Sequence, residues 1–442
     1  MPMNRESDSG FTAALGRHYR EILLLAVAAL MALKGPDLLI HPRIWAEEVY
    51  YLNYALNHDA LSSLLYSQPS LGYYLLSANV MTVLAALVSR TIGLEYAAAV
   101  TTYLSFAVQL APYPLLLYSE SHLFRSRLLI AGACLVSLLA PTTSGEIWLT
   151  SIHTKNWTGL AAFFLLFQDT TGWSPKRIWF YRGALLLCGL SGPYAAVLAP
   201  VFALSYFIYR ERERLIRAAL LGACCLVHLA VFLDQARAGG TAARTSAFTW
   251  DSAVVNVFVY QVLGSVMGER ASQFWGQRLG LASVLEASIS TPRGAPVILA
   301  AIGCVVATAV LLMLFWRRLR SQQTLLVVSF LLLGAFTAAT ALNGVPHNRY
   351  AFLPGLAVLL LFMTAWEERG AFRRGLAAIL LAGALYVGVR DYQDFWTVYG
   401  AGQPAWAGEV ERWRADQSYS LAVWPTFFKA HLEWRPDSPV ER

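Results

Sequence analysis

Two adjacent carboxylates, Glu47 and Glu48, lie among aromatic side chains in the segment His41–Tyr51, directly after a long apolar block. Neighbouring positions on a helix point about 100° apart, so only one acid of the pair can face a given cavity. An apolar wall disfavours the charged form of a carboxylate and raises its proton affinity toward that of a useful base. One acid can then act as a base while its neighbour binds a partner or a metal. The alternative interpretation is an interfacial amphipathic helix whose acids face water.

A second group of polar side chains falls in the short segment between residues 142 and 157. Its members that can bind a sugar or a phosphate, or stack on one, are Glu146, Trp148, His153, Lys155, Asn156 and Trp157. Such a concentration of polar and aromatic groups favours a binding site. An aromatic belt at a membrane surface is the alternative interpretation.

A third group, Pro346–Tyr350, contains His347, Arg349 and Tyr350 between two apolar blocks. An arginine and a histidine on the face that most basic residues avoid indicate an anionic partner. A lipid phosphate would satisfy the guanidinium of Arg349 by bidentate hydrogen bonding. The alternative is an interfacial arginine that extends to the headgroups. His228, inside another apolar block, is interpreted as a hydrogen-bonded packing residue.

Long apolar blocks must hold these residues in place. The chain has 442 residues, and only 14% are charged, against roughly a quarter in an average soluble domain. The hydrocarbon core of a membrane offers no hydrogen-bond partners, so every backbone amide there must be bonded within the protein. Long apolar blocks with almost no charge therefore predict transmembrane helices. Spans are predicted at about 21–39, 95–118, 127–141, 155–169, 182–191, 194–209, 214–234, 295–316, 323–341, 350–366 and 375–390. The predicted fold class is therefore all-α, a polytopic transmembrane helical bundle of about eleven spans.

Basic residues cluster in the short segments between the apolar blocks. Clusters fall on one side at 17–20, 125–127, 176–182, 210–217, 317–320 and 369–374. The positive-inside rule makes that side cytoplasmic, with the amino terminus inside and the carboxyl terminus periplasmic in a bacterial inner membrane. Because the net charge of +7 is placed to orient helices, we expect no nucleic acid partner. The apolar segment 71–89 would reverse every later cluster if it crossed, so a juxtamembrane or re-entrant outer helix is predicted there.

This topology predicts two units. Residues 1–390 form the transmembrane domain, whose outer loops are 40–94, with juxtamembrane helices, and 235–294. Residues 391–442 form a small non-cytoplasmic tail or cap. Gly189–Pro193 breaks one apolar region into two halves with basic flanks, which predicts a shallow hairpin whose tip approaches the outer surface. The sequence has no glycine-rich phosphate loop ending in Lys-Ser or Lys-Thr, which argues against an ATP-driven transporter.

Together these features resemble the GT-C superfamily of membrane glycosyltransferases, which use polyprenyl-phosphate-linked sugars as donors. Ile44–Glu48 is similar to the Trp-Ala-Glu-Asp segment of one uncharacterised bacterial branch and to the acidic pair of other branches. The other matching segments are Leu71–Tyr74, Gly145–Trp148, Asn156–Trp157, Leu190–Pro193 and Asn348–Tyr350. The resemblance covers most of the chain through short motifs, and glutamate stands where many branches carry aspartate.

The resemblance implies an inverting sugar transfer on the outer face. Its catalytic acids are Glu47 and Glu48. Alignment with the acidic pair favours Glu47 as the base that deprotonates an acceptor hydroxyl, whose oxygen expels polyprenyl phosphate from the anomeric carbon. Some relatives use a divalent cation, Mg²⁺ or Mn²⁺, for which Glu48 is the candidate ligand. Substrate contacts are expected from Arg349, Tyr350, His347, Lys155, His153, Trp148, Glu146, Asn156, Trp157 and Tyr50. The helices around 295–366 are expected to supply a groove for the lipid tail.

The implied partners are a polyprenyl-phosphate-linked sugar donor, membrane lipid, and a glycan, lipid or surface-protein acceptor. Three other functions compete with this one. A lipid-linked polysaccharide polymerase or ligase uses similar donors, but usually depends on basic residues. A lipid or solute transporter or flippase would need ionisable groups at the membrane midplane and preferably an internal repeat. A non-catalytic assembly or anchoring protein is the last alternative.

Overall fold

In the computed structural model, the chain is mostly helical with few strands, which confirms the predicted all-α class. The residues that the structure describes are 18–69, 71–124, 126–142, 145–239, 253, 256–278, 319–340, 348–367, 370–392, 405–425 and 428–434. The predicted span 295–316, His347 and parts of the predicted loop 235–294 lie outside these residues.

The described residues up to Leu166 form nine helices, with short 3₁₀ helices at Leu94–Tyr96 and Gly145–Ile147. The helices are α1 Tyr19–Lys34, α2 Pro36–Ile40, α3 Glu48–Asn57, α4 Ala60–Leu65, α5 Leu76–Thr91, α6 Ala97–Leu110, α7 Pro112–Leu117, α8 Arg127–Leu139 and α9 Thr154–Leu166.

The described residues from Pro175 onward add a π-helix at Asn256–Leu263 and a 3₁₀ helix at Ala365–Glu367. The helices are α10 Pro175–Leu190, α11 Pro193–Val197, α12 Ala199–Tyr209, α13 Arg212–Arg237, α14 Gly264–Arg278, α15 Ser321–Ala339, α16 Asn348–Thr364, α17 Ala371–Arg390 and α18 Trp406–Ala415. Two short strands, β1 Leu421–Ala422 and β2 Lys429–Ala430, pair antiparallel.

Several helices are long and apolar enough to cross a membrane, and they suggest a membrane protein. By length and composition they are Leu94–Leu117, Arg212–Arg237, Ser321–Ala339, Arg349–Glu367 and Ala371–Arg390, with α10 and the following α11–α12 pair as a bent sixth. The predicted number of eleven spans is not confirmed. Helices α8 and α9, where two spans were predicted, have 13 residues each, fewer than the roughly 20 that cross a bilayer perpendicularly.

Helices α9 and α16 form the centre of the bundle. Every residue of α9 from Asn156 to Leu166 is buried, as is 89% of the most apolar stretch of α16. A helix that is apolar on all sides belongs in the interior of a large bundle, whereas α13 and α17 bury only 22% of their most apolar stretches and lie at its periphery. The interior position of α9 and α16 fixes where their amino-terminal residues Lys155 and Arg349 can point.

The apolar region that the sequence predicts to be broken bends by 113° between α10 and α11. Gly192 has φ 129° and ψ 164°, a backbone region that is essentially restricted to glycine, and Pro193 then begins α11. A Cβ atom on Gly192 would lie 2.5 Å from the Cβ of Lys155. The broken backbone therefore packs directly on the first turn of α9.

The carboxyl-terminal residues 405–425 and 428–434 fold onto the first predicted outer loop. The indole nitrogen of Trp406 donates to the carbonyl of Leu94 at 2.9 Å, and the amide of Glu433 donates to the Asn53 side chain at 3.0 Å. Apolar residues of α18 share a buried cluster with α3 and α5. The described part of the predicted tail is thus a small structured unit packed on this loop.

We predict that Gly192→Ala lowers stability by about 1–3 kcal/mol, because a side chain there is strained and meets Lys155. Thermal unfolding in detergent measures the change. Gly183→Ala is the matched control: Gly183 lies within α10 with open space around it, so alanine should leave the melting temperature equal or slightly higher. Equal melting temperatures for both variants would contradict the assigned backbone conformation.

Candidate functional site

A cavity of about 550 Å³ lies beside the amino-terminal ends of α9 and α16. Six of the predicted site residues line it: Glu47, His153, Lys155, Asn156, Arg349 and Tyr350. These residues come from three segments that are far apart in sequence. The fold therefore brings together one acid, two cations and several hydrogen-bonding groups from all three predicted clusters.

The opposite wall of the cavity is apolar. Helix α13 contributes Leu229 and Phe232, and α15 contributes Phe336 and Ala339. The sequence places the expected apolar groove at 295–366, and α15 lies within that range. The contribution of α13 was not predicted, because its amphipathic pattern is too weak to show which side faces a partner helix. The cavity can thus bind a molecule with a charged head and an apolar tail.

Lys155 is the cation of the cavity that forms no ion pair within the part of the chain that the structure describes. Its ammonium group donates to the hydroxyl of Tyr73 and lies 4.8 Å from the centre of that ring. Among the described residues, no carboxylate comes within 4 Å of this ammonium. Tyr73 belongs to a segment in the family resemblance, but it was not among the predicted site residues. An anionic ligand would complete the charge balance around Lys155.

Arg349 already has an anionic partner within the chain. Its guanidinium donates to the Glu146 carboxylate at 2.8 Å and to the Tyr350 hydroxyl at 3.3 Å, and it also interacts favourably with the charge of Glu47. Glu146 does not line the cavity, and its carboxylate instead positions the guanidinium of Arg349. The anion that the sequence predicts for Arg349 is therefore, at least in part, a protein carboxylate.

Glu48 does not face the cavity with its neighbour Glu47. Its side chain is 1% exposed, and its carboxylate accepts hydrogen bonds from the backbone amides of Trp45, at 2.7 Å, and Ser151. Burial raises the pKa of Glu48 from 4.5 to about 7, against the opposing effect of the two amide bonds. With both oxygens bonded to backbone, Glu48 does not fit the predicted metal ligand, nor can it touch a substrate in the cavity.

One group in the described part of the chain has a metal-like donor set, namely His122, Asp169 and Glu211. Glu211 precedes α13 by one residue, whereas His228 of α13 lines the cavity, so the two sites are about 25 Å apart along the helix. The carboxylate of Glu211 also lies 3.3 Å from Nε2 of His122 and forms an ion pair with Arg214 at 3.3 Å. These contacts describe a polar network remote from the cavity.

Three predicted aromatic contacts lie elsewhere. Trp148 and Trp157 are 0% exposed and pack edge to face in the core, 5.2 Å apart, where the Trp157 indole donates to the Ile147 carbonyl. Tyr50 is exposed and does not line the cavity. The structure thus gives the two tryptophans a packing function, because α9 is buried on every side and its ring at position 157 points into the bundle.

His228 connects two walls of the cavity. Its Nε2 is 2.7 Å from the carbonyl of Gly189 and its Nδ1 is 3.3 Å from the amide of Tyr74. A carbonyl can only accept and an amide can only donate, so the ring is the neutral Nε2–H tautomer. This agrees with a hydrogen-bonded packing residue, and it also places the ring on the cavity surface.

We predict that Glu48→Gln changes how stability depends on pH. Because the folded-state pKa is raised to about 7, the folded chain binds this proton more tightly, and stability falls as pH rises from about 4.5 to about 7. The difference in unfolding free energy between wild type and variant should drift by about 3 kcal/mol over this window. Melting temperatures between pH 4 and 8 measure it, with the exposed Glu120→Gln as control. Parallel wild-type and Glu48→Gln curves would refute the assignment.

Comparisons of the chain with protein-family models, with curated proteins and with solved structures find no match.

Proposed function

We propose that the chain is an inverting glycosyltransferase of the GT-C type, which moves a sugar from a polyprenyl-phosphate donor to an acceptor on the periplasmic face of a bacterial inner membrane. One observation carries the proposal. The carboxylate of Glu47 and the ammonium of Lys155, which pairs with no acid in the described ranges of the chain, line the same cavity, and the opposite wall of that cavity is apolar. A base, a phosphate-binding cation and a lipid-binding surface are what this reaction requires.

The phosphate of the donor is assigned to Lys155 and Arg349. Each lies at the amino-terminal end of a buried helix, where the helix dipole adds positive potential. The first isoprene units then pack on Leu229, Phe232 and Phe336. In this pose the anomeric carbon lies between the cations and Glu47.

Glu47 acts as the general base in the proposed step. Its carboxylate takes the proton of an acceptor hydroxyl while that oxygen forms a bond to the anomeric carbon. The bond between that carbon and the phosphate oxygen breaks with its electron pair, and polyprenyl phosphate leaves from the opposite face, so the configuration inverts. His153, Asn156 and Tyr350 are available for hydroxyl groups of the sugar. The acceptor is a glycan, a lipid or a surface protein.

The mechanism contains no metal-dependent step, because Glu48 does not fit a ligand. Transfer measured with EDTA, and with added Mg²⁺ or Mn²⁺, tests this directly.

A transporter or flippase is the second candidate, and one observation favours it. The bent α10–α11 region contributes Pro193, Tyr194 and Val197 to the cavity, and broken helices beside a binding site are common in transporters. Both functions require the same ligand to bind, but only the transferase requires Glu47 as a base. Substitution of this one acid therefore separates them.

We predict that Glu47→Gln lowers kcat for transfer by about 10²–10⁴-fold, because general bases contribute about that much. Purified protein in lipid nanodiscs is incubated with synthetic polyprenyl-phosphate sugars and a panel of cell-envelope acceptors, and products are identified by mass spectrometry. Binding of donor to the variant should remain within about twofold, since the glutamine keeps the shape of the side chain.

Glu120→Gln, an exposed acid outside the cavity, serves as the control and should transfer at the wild-type rate. Full transfer by Glu47→Gln would remove the proposed mechanism. Movement of a labelled lipid across proteoliposomes, with no product in any acceptor reaction, would support the transporter.

We also predict that Lys155→Met weakens binding of farnesyl phosphate by about 10–100-fold, because a charge-assisted hydrogen bond contributes about 1.5–3 kcal/mol. Calorimetry in detergent gives Kd, and farnesol reports the affinity without phosphate. Lys176→Met, an exposed lysine at the start of α10, is the matched control and should bind normally. If Lys155→Met lost affinity equally for farnesol and farnesyl phosphate, the phosphate site would lie elsewhere.

A further inference from the structure

We propose that the carboxyl-terminal segment formed by residues 405–425 and 428–434 belongs to the site, and that Trp424 within it is a positioning residue for the loop that carries Glu47. The structural part of this inference is independent of the proposed function. Its catalytic consequence rests on the assignment of Glu47 as the base.

Backbone hydrogen bonds join Trp424 to the loop on both sides of Trp45. The amide of Trp424 donates to the Ile44 carbonyl at 3.0 Å, and the amide of Ala46 donates to the Trp424 carbonyl at 2.7 Å. Trp45 and Trp424 thereby form a parallel β-bridge. The main chain of the loop is therefore held by another part of the chain immediately before Glu47.

The side chains extend this connection into the cavity. The ring of Trp424 lies 4.5 Å from the ring of Trp45, and the ring of Trp45 lies 6.0 Å from His153, both edge to face. Both tryptophans are at most 5% exposed. Since His153 lines the cavity, loss of the Trp424 ring removes support from Trp45 and, through Trp45, from a lining residue of the cavity.

A second set of bonds holds the loop on the other side of Glu47. The amide of Trp45 donates to the Glu48 carboxylate, and the amide of Glu48 donates to the Trp45 carbonyl at 2.8 Å. Glu47 therefore lies between two fixed residues, and only the torsions of its own side chain remain free. A catalytic base needs this restriction, because a misplacement of about 1 Å can cost about 100-fold in rate.

The segment is itself firmly anchored, so it can act as a support. Glu409 is fully buried and accepts hydrogen bonds from the Tyr419 hydroxyl at 2.8 Å and the Ala422 amide at 2.7 Å, which fixes the chain leading into Trp424. Arg414 also pairs with Glu95 at 2.5 Å, but this ion pair is partly exposed to solvent and contributes little to the anchoring. The position of the loop that carries Glu47 therefore depends on the position of this segment.

Hydrogen–deuterium exchange of the full chain in nanodiscs tests the structural part. In Trp424→Ala, amides in peptides covering 44–50 and 148–155 should exchange about 10-fold faster or more, since local opening becomes easier. Trp424→Phe keeps an aromatic ring and should restore most of the protection. Arg414→Ala removes only an exposed ion pair of the same segment and should exchange as wild type in both peptides.

The catalytic part is tested with the transfer assay and with farnesyl phosphate. Trp424→Ala should lower kcat about 10-fold or more while Kd for farnesyl phosphate stays within about twofold, because Lys155 is held by α9 and not by the tail. Unchanged exchange at 44–50 in Trp424→Ala overturns the proposal, as does faster exchange with unchanged kcat. If the alanine variant does not fold, Trp424→Leu replaces it. If wild type transfers no sugar, the proposed function fails, and the exchange experiment still decides whether Trp424 positions the loop.

Discussion

The buried carboxylate of Glu48 is the contact on which the geometry of the site depends. It accepts amide hydrogen bonds from Trp45 in the first loop and from Ser151 in the loop before α9, two segments about a hundred residues apart in sequence. An ionised carboxylate in such surroundings loses its hydration, and the two amide bonds replace part of it. Because this link joins the loops, Glu47 and Lys155 face one cavity. The desolvation of Glu48 is a stability cost that accompanies a defined site.

The helical class and the region of the site could be predicted because both follow from local sequence. Long apolar blocks form helices in any surroundings where backbone groups must bond internally. Gly192 and Pro193 break a helix because of their own backbone restrictions, so the bend was also predictable. The number of spans was less accessible. Hydropathy cannot separate a helix surrounded by lipid from one surrounded by other helices, and the 13-residue α9 is of the second kind.

Side-chain direction was the main information that the sequence lacked. Glu47 and Glu48 are the same residue type at adjacent positions in the sequence. Only the packing of the folded chain decides that Glu47 lines the cavity while Glu48 bonds to backbone amides. Trp148 and Trp157 suit a sugar surface by composition, yet the burial of α9 turns them into the core. The contact of Trp424 with residues 44–46 joins segments nearly 380 residues apart, and no local pattern encodes such a pairing.

The contrast between the interior helices and the peripheral ones has a consequence for how the chain tolerates substitution. In α9 every side chain from Asn156 onward has protein neighbours on all sides, so enlarging or shrinking any of them disturbs packing. In α13 only 22% of the most apolar stretch is buried, and at its exposed positions one aliphatic residue can replace another with little effect. A saturation-mutagenesis profile should therefore be almost uniformly intolerant along α9. Along α13 the tolerance to substitution should rise and fall with the helical period, and it should be lowest at the positions that face the cavity.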